Sequence, residues 1–132
     1  MKTQADLVKG WLRKAESDLT ASSLCLTQGQ ALDTACFHAQ QAAEKYLKAY
    51  LAAQNIAFPF THNLEKLIEL CMLNDSSFSS VKSLAQSLTP YAVELRYDDE
   101  FWPSMGTARQ AMDEALAIKQ FVLDRIPAAM RP

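Results

Sequence analysis

From Asp33 to Ala53 the chain runs DTACFHAQQAAEKYLKAYLAA, twenty-one residues without Gly or Pro and rich in Ala and Leu. At about 100° per residue, Ala35, Ala39, Ala42, Ala43, Tyr46, Leu47, Ala49, Tyr50 and Ala53 share one broad side of a helix. Thr34, His38, Gln40, Gln41, Glu44, Lys45 and Lys48 share the other. A helix that is apolar over more than half its circumference must touch several neighbours, so this stretch is predicted to be a central packing helix. On its polar side His38, Gln41, Lys45 and Lys48 form a row at helical spacing, the place to look for function. Phe37 projects from that side and needs a cover, either the Phe58–Phe60 loop or a second subunit.

The flanking sequence supplies the neighbours. Between Ala5 and Thr27, Val8, Leu12, Ala15, Leu19, Ser22 and Leu26 alternate spacings of four and three, the seam of an antiparallel bundle. Trp11 widens that seam, while Lys9, Arg13, Glu16 and Asp18 lie off it. Gly29 is placed to end the helix, and the short connection predicts a hairpin into the Asp33–Ala53 helix. After the apolar loop Ile56–Phe60, Thr61 or His62 is expected to start a third helix, with Leu64, Leu67, Ile68 and Met72 as its stripe. A short helix is predicted from Phe78 to about Ser87, restarting at Thr89-Pro90 and running through Arg96. Residues 96–103 read as a loop mixing charge with large aromatics. A last helix runs from Met105 or Thr107 to Ile126, with Ala108, Ala111, Ala115, Ile118, Val122 and Ile126 on its seam. Nothing alternates as a strand would. The expected fold is all-α, an antiparallel up-and-down bundle of four main helices with one additional short helix, over a single domain, 1–132.

Composition narrows the function classes. Apolar residues make up 49% and charged residues 21%, and the net charge of -2 makes no electrostatic case for general nucleic-acid or membrane binding. Three cysteines, Cys25, Cys36 and Cys71, lack CxxC spacing, which points to a reduced, cytoplasmic setting rather than a disulfide framework. The opening MKTQADLVKGW has no signal-peptide core, and no window approaches about 18 uninterrupted apolar residues, so no membrane association is expected.

Site chemistry is sparse. Cys36 and His38 point about 200° apart on one helix and cannot share a metal, and with two histidines no metal site and no cofactor are expected. Cys36 and Cys71 sit among apolar neighbours and read as core filler rather than nucleophiles. No Gly-rich phosphate loop is present. Asp98-Asp99-Glu100 reads as a solvated turn. Lys45 and Lys48 beside His38 suit an anionic group, but surface pairing of Lys48 with Glu44 accounts for the lysines equally well. His62 beside Thr61 is placed to help cap the third helix.

Four blocks in order carry a resemblance to the HEPN domain (higher eukaryotes and prokaryotes nucleotide-binding). They are Trp11 with Ala15, Asp18 and Leu19; CFHAQQAAEKYLKAYL from Cys36 to Leu51; Thr61-His62-Asn63-Leu64, near the family's T-H-D/N-L; and Leu95-Arg96-Tyr97-Asp98-Asp99, similar to its A-R-Y-P-D. The resemblance implies an up-and-down helical bundle, a homodimer, and a partnership with a minimal nucleotidyltransferase in a two-component, toxin–antitoxin-like or nucleotide-handling pair. Many such domains are metal-independent ribonucleases with an R-x(4–6)-H motif, whose Arg and His meet at the dimer seam. Here the permitted positions after Arg96 hold Phe101, Trp102 and Pro103, and Arg13, Arg109 and Arg125 lead to no histidine either. The signature is absent, so no catalytic residue is assigned.

The favoured expectation is a non-catalytic module binding a nucleotide, RNA or protein partner. Its contacts are expected from His38, Gln41, Lys45, Lys48, His62, Arg96, Tyr97 and Asp98. Arg96 would meet phosphate or a partner carboxylate, and Tyr97 would stack or cap. One alternative is a divergent ribonuclease using Arg96 with His38 or His62 as an acid–base set. Another is a purely structural dimeric bundle, with Arg96 pairing with Glu44 or Asp98 inside the dimer seam.

Overall fold

The computed structural model describes all residues, 1–132. It is all-helical: α1 (Gln4–Gln28), α2 (Leu32–Ala53), α3 (Leu64–Asn74), α4 (Lys82–Leu88) and α5 (Met105–Leu123), with short 3-10 segments between and after them. No helix is long and apolar enough to cross a membrane.

Local chemistry accounts for most of the helix ends. Thr3 and Asp6 form a reciprocal capping box at the start of α1, and Gly29 ends that helix in the left-handed conformation at φ 64°. Ser104 caps α5 by accepting from the Thr107 N–H. Helix α2 begins differently: Ala31 is left-handed at φ 52° and supplies no side-chain cap. That conformation is costly for a residue with a Cβ, and the buried α1–α2 interface on either side of the hairpin holds it.

Helix α2 is central, as its wheel predicts. It packs along α1 and also touches α3, α4 and α5. Ala35, Ala39, Ala42, Ala43 and Ala49 are fully enclosed, and their small side chains let the neighbouring backbones approach closely. Ser22, on the α1 seam, donates across the interface to the Ala35 carbonyl at 3.0 Å. Cys36 and Cys71 belong to the single contiguous core. Burial pushes their thiols up, Cys36 to about 11 and Cys71 to about 12, which keeps them protonated and unreactive at neutral pH.

Several expected boundaries are corrected. The N-cap of α3 is Asn63, whose side chain accepts from the N–H groups of Glu65 and Lys66; neither Thr61 nor His62 takes that place. Thr61 accepts from the Asn63 N–H, and the His62 side chain turns toward α2. The expected helix from Phe78 is instead a 3-10 segment, Ser76–Val81, capped by Asp75, followed by α4. The expected restart at Thr89-Pro90 is a single 3-10 turn, Thr89–Tyr91, with turns through Tyr97. Thr89 lies at φ -49° and ψ -44°, continuing α4, and its hydroxyl donates back to the Ala85 carbonyl. It is therefore not extended, as an N-cap must be. Finally, α5 closes at Leu123, because the Arg125 and Ile126 N–H groups tighten to i−3 carbonyls ahead of Pro127.

Candidate functional site

The polar side of α2 is mostly not a free surface. Two carboxylates, one from α1 and one from α2 itself, each bridge a histidine and a lysine. Asp18 accepts from Lys45 and lies 2.8 Å from His38 Nδ1. Glu44 accepts from Lys48 at 2.9 Å and lies 2.8 Å from His62 Nδ1. Gln40 donates to the His62 carbonyl, and Gln41 donates to Gln40 Oε1. The loop between α2 and α3 folds back over this face, so Gln40, Glu44 and Lys48 are 0%, 3% and 4% exposed.

One expectation is thereby overturned. The Glu44–Lys48 pair is a buried ion pair rather than an ordinary surface one, and Asp18, off the apolar seam of α1, is nonetheless enclosed. The Lys48 ammonium also lies 5.4 Å from the Trp11 ring centroid, 5.9 Å from Phe58 and 5.7 Å from Phe60. Those ring faces complement a cation removed from water. Lys45 and Lys48 are thus each committed to a carboxylate of this chain, which leaves them poorly placed to attract an external anion.

Arg96 is arranged differently. Within the chain it pairs with neither Glu44 nor Asp98; Glu44 is taken by Lys48 and His62, and Asp98 accepts from the Glu100 N–H within its own turn. The Arg96 guanidinium instead lies 4.3 Å from the Phe37 ring centroid and 5.3 Å from that of Tyr97, and its Nη1 donates to the Tyr97 hydroxyl at 3.5 Å. Within the chain it is Arg96, rather than the Phe58–Phe60 loop, that lies over the half-buried Phe37. Asp33, Thr34, Phe37, His38 and Arg96 line an open pocket of about 270 Å³.

His38 belongs to both arrangements. Its Nδ1 is held by Asp18, which fixes the ring and leaves Nε2 as the uncommitted nitrogen of a pocket-lining side chain. Of the expected site residues, then, the fold brings His38 and Arg96 to one pocket, with Tyr97 stacked beside Arg96 and 74% exposed. Gln41, Lys45, Lys48 and His62 sit in the paired networks, and Asp98 stays in an exposed turn.

Asp18 and Phe37 take part in the site although neither was among the expected site residues. Phe37 was signalled by its position on a polar face. Asp18 had no local signal as a partner for His38, because the two are twenty residues apart and meet only when the α1–α2 hairpin closes. Glu16, two residues before Asp18 and about 200° around α1, serves the opposite flank. There it accepts from Tyr46 and Lys119. Burial alone would raise the Glu16 carboxyl, but those two hydrogen bonds outweigh it and hold it below the ordinary range. Burial, followed by the bond to Glu16, pushes the Tyr46 phenol far above its usual value. These polar groups satisfy one another. No three His, Cys, Asp or Glu side chains converge in metal-binding geometry anywhere in the fold.

Comparison with known proteins agrees with this architecture. A family model described as the HEPN domain matches residues 8–126. The structure is similar to that of ST0689, an archaeal HEPN homologue, with a TM-score of 0.74 and 25% identity over 96% of this chain and 100% of that one. It is also similar to TT1696 from Thermus thermophilus, with a TM-score of 0.77 and 27% identity over 90% of this chain and 98% of that one. No curated protein matches the chain.

Proposed function

The chain belongs to the HEPN domain family, and from that premise we propose that it is a non-catalytic module binding a phosphate group of a nucleotide or RNA at the Arg96 pocket. One observation carries the reading: Arg96 is the pocket's cation without a carboxylate partner, its guanidinium lying over the Phe37 ring and beside that of Tyr97. The Phe37 ring and the Tyr97 hydroxyl restrain the guanidinium, whose remaining N–H groups can fork onto phosphate oxygens. The absence of an R-x(4–6)-H motif supports binding over cleavage.

Arg96→Ala is expected to weaken binding of a labelled RNA or nucleotide roughly 10–100-fold, the equivalent of about 1.5–3 kcal/mol for a charge-assisted hydrogen bond. Fluorescence anisotropy measures it, and an unchanged affinity refutes the assignment. Arg96 is exposed, so the variant should keep its fold. The same samples address a second reading, favoured by the Asp18–His38 contact, in which His38 serves as general base in a divergent ribonuclease. RNA cleavage in the presence of chelator, lost in Arg96→Ala, would establish that reading instead.

The family resemblance also supports a homodimer and a partnership with a minimal nucleotidyltransferase in a two-component system. Co-expression with a nucleotidyltransferase encoded beside this gene should yield a co-purifying complex. The module alone should sediment at twice the chain mass. A monomer that ignores the nucleotidyltransferase removes both proposals.

A further inference from the structure

The pocket's chemistry distinguishes between kinds of phosphate. We infer that it takes a terminal phosphomonoester, the end of a nucleotide or of an RNA strand, rather than the internal diesters of a strand lying across it. The inference rests on the phosphate-binding reading above and adds the ligand's class.

Charge is the first ground. Tracking a strand takes several cations, each releasing counterions from one phosphate. Among the side chains lining this pocket, Arg96 is the one Lys or Arg. Lys45, the nearest lysine on the His38 row, is bound to Asp18, and Lys48 is bound to Glu44 in the interior. Acidic groups are close at hand: Asp33 lines the pocket itself, and Asp98, Asp99 and Glu100 follow Arg96 in the same exposed loop. A polyanion crossing this region would gain one ion pair and meet several like charges. A single phosphate seated on Arg96 gains the pair and extends no further charge along the acidic loop.

Hydrogen bonding is the second ground. Asp18 occupies His38 Nδ1, so in the neutral ring Nδ1 carries the proton and Nε2 is an acceptor. A phosphodiester has no proton to offer it. A phosphomonoester does, because its second ionisation lies near pH 6. Its P–O–H donates to Nε2, or the ring takes that proton and donates it back to the dianion. With the ring neutral, a monoester's P–O–H completes the Nε2 hydrogen bond that a diester leaves unmade. The exposed Tyr97 ring, alongside Arg96, is available to the base of the terminal nucleotide.

Anisotropy with short single-stranded RNAs of one sequence tests this. One pair carries a 3′ label and either a 5′-phosphate or a 5′-hydroxyl; the other carries a 5′ label and either a 3′-phosphate or a 3′-hydroxyl. A phosphate at one end or the other is expected to tighten binding at least about tenfold, and Arg96→Ala to abolish the gain. Between about 50 and about 200 mM salt, affinity should fall only roughly threefold, as for one neutralised phosphate. Competition by a nucleoside monophosphate, but not by the nucleoside, identifies a free nucleotide as ligand; binding of phosphate-ended RNA without such competition identifies a strand end. Either result supports the inference. His38→Gln should reduce the preference for phosphate ends while leaving the thermal melt in place. Equal, Arg96-dependent binding of all RNAs overturns the inference and leaves the phosphate-binding reading standing. Absence of Arg96-dependent binding by any probe, inorganic phosphate included, overturns both.

Discussion

Glu44→Ala is expected to destabilise the protein by about 3–5 kcal/mol, the cost of leaving a buried charge without its partner. Glu44 and Lys48 are 3% and 4% exposed, and their oxygen and nitrogen lie 2.9 Å apart. Truncating the carboxylate strands the Lys48 ammonium among Trp11, Phe58 and Phe60, whose ring faces offset only part of the lost interaction. It also removes the acceptor for His62 Nδ1, loosening the end of the loop that covers the pair. For a chain of this size the melting temperature should drop by roughly 10–20 °C. Two companions separate charge from shape. The double variant Glu44→Leu with Lys48→Met should regain most of the loss, because apolar replacements of similar volume need no desolvation. Asp18→Ala should cost less, about 1–2 kcal/mol, since Lys45 and His38 keep 20% and 29% side-chain exposure and water can screen them. Urea denaturation measures all three. A Glu44→Ala loss below about 1 kcal/mol would mean that water reaches Lys48 freely and that the pair is not interior in solution.

Phe78→Ala should cost about 3–5 kcal/mol, although Phe78 lies in an irregular segment rather than in a long helix. Its ring is fully buried, with centroids 4.5 Å from Tyr50 of α2 and 4.9 Å from Phe121 of α5. Arg125 closes the cluster by stacking on Phe121 at 3.4 Å and donating to Asp75, the residue that caps the 3-10 turn. The segment is therefore a plug between two main helices, and removing its ring leaves a cavity that rigid helices fill poorly. Phe78→Leu should cost no more than about 1.5 kcal/mol, because most of the volume remains. Chemical denaturation checks both. If Phe78→Ala costs less than about 1 kcal/mol, the 76–81 segment is only loosely seated in solution.

The irregular middle of the chain and the polar side of α2 were read least well, for different reasons. Around Thr89-Pro90 the local signal for an N-cap was sound, but the hydroxyl donates back to the Ala85 carbonyl and accepts from the Leu64 N–H of α3 rather than from the N–H groups of a new helix. A tertiary contact thus decided a local question. The start of α3 was expected at Thr61 or His62, but Asn63 is the cap, and the His62 side chain is drawn onto Glu44. On the wheel of α2, Gln40, Glu44 and Lys48 looked solvent-facing because the wheel records chemistry and not what folds over it.

The sequence by itself determined the all-helical class, the long α1, α2 and α5, and the central place of α2, because apolar periodicity, capping residues and the Gly29 stop are local properties of the chain. It also brought out Arg96 and the family blocks, and showed that no histidine stands at ribonuclease spacing. Which cations remain free was decided only by the tertiary structure. Lys45, Lys48 and Arg96 are alike in formal charge, and ion pairing depends on carboxylates distant in sequence or enclosed by a loop. Closure of the α1–α2 hairpin gives Lys45 to Asp18, and the loop ahead of α3 seals Lys48 against Glu44. Arg96 is left on Phe37 with its charge available.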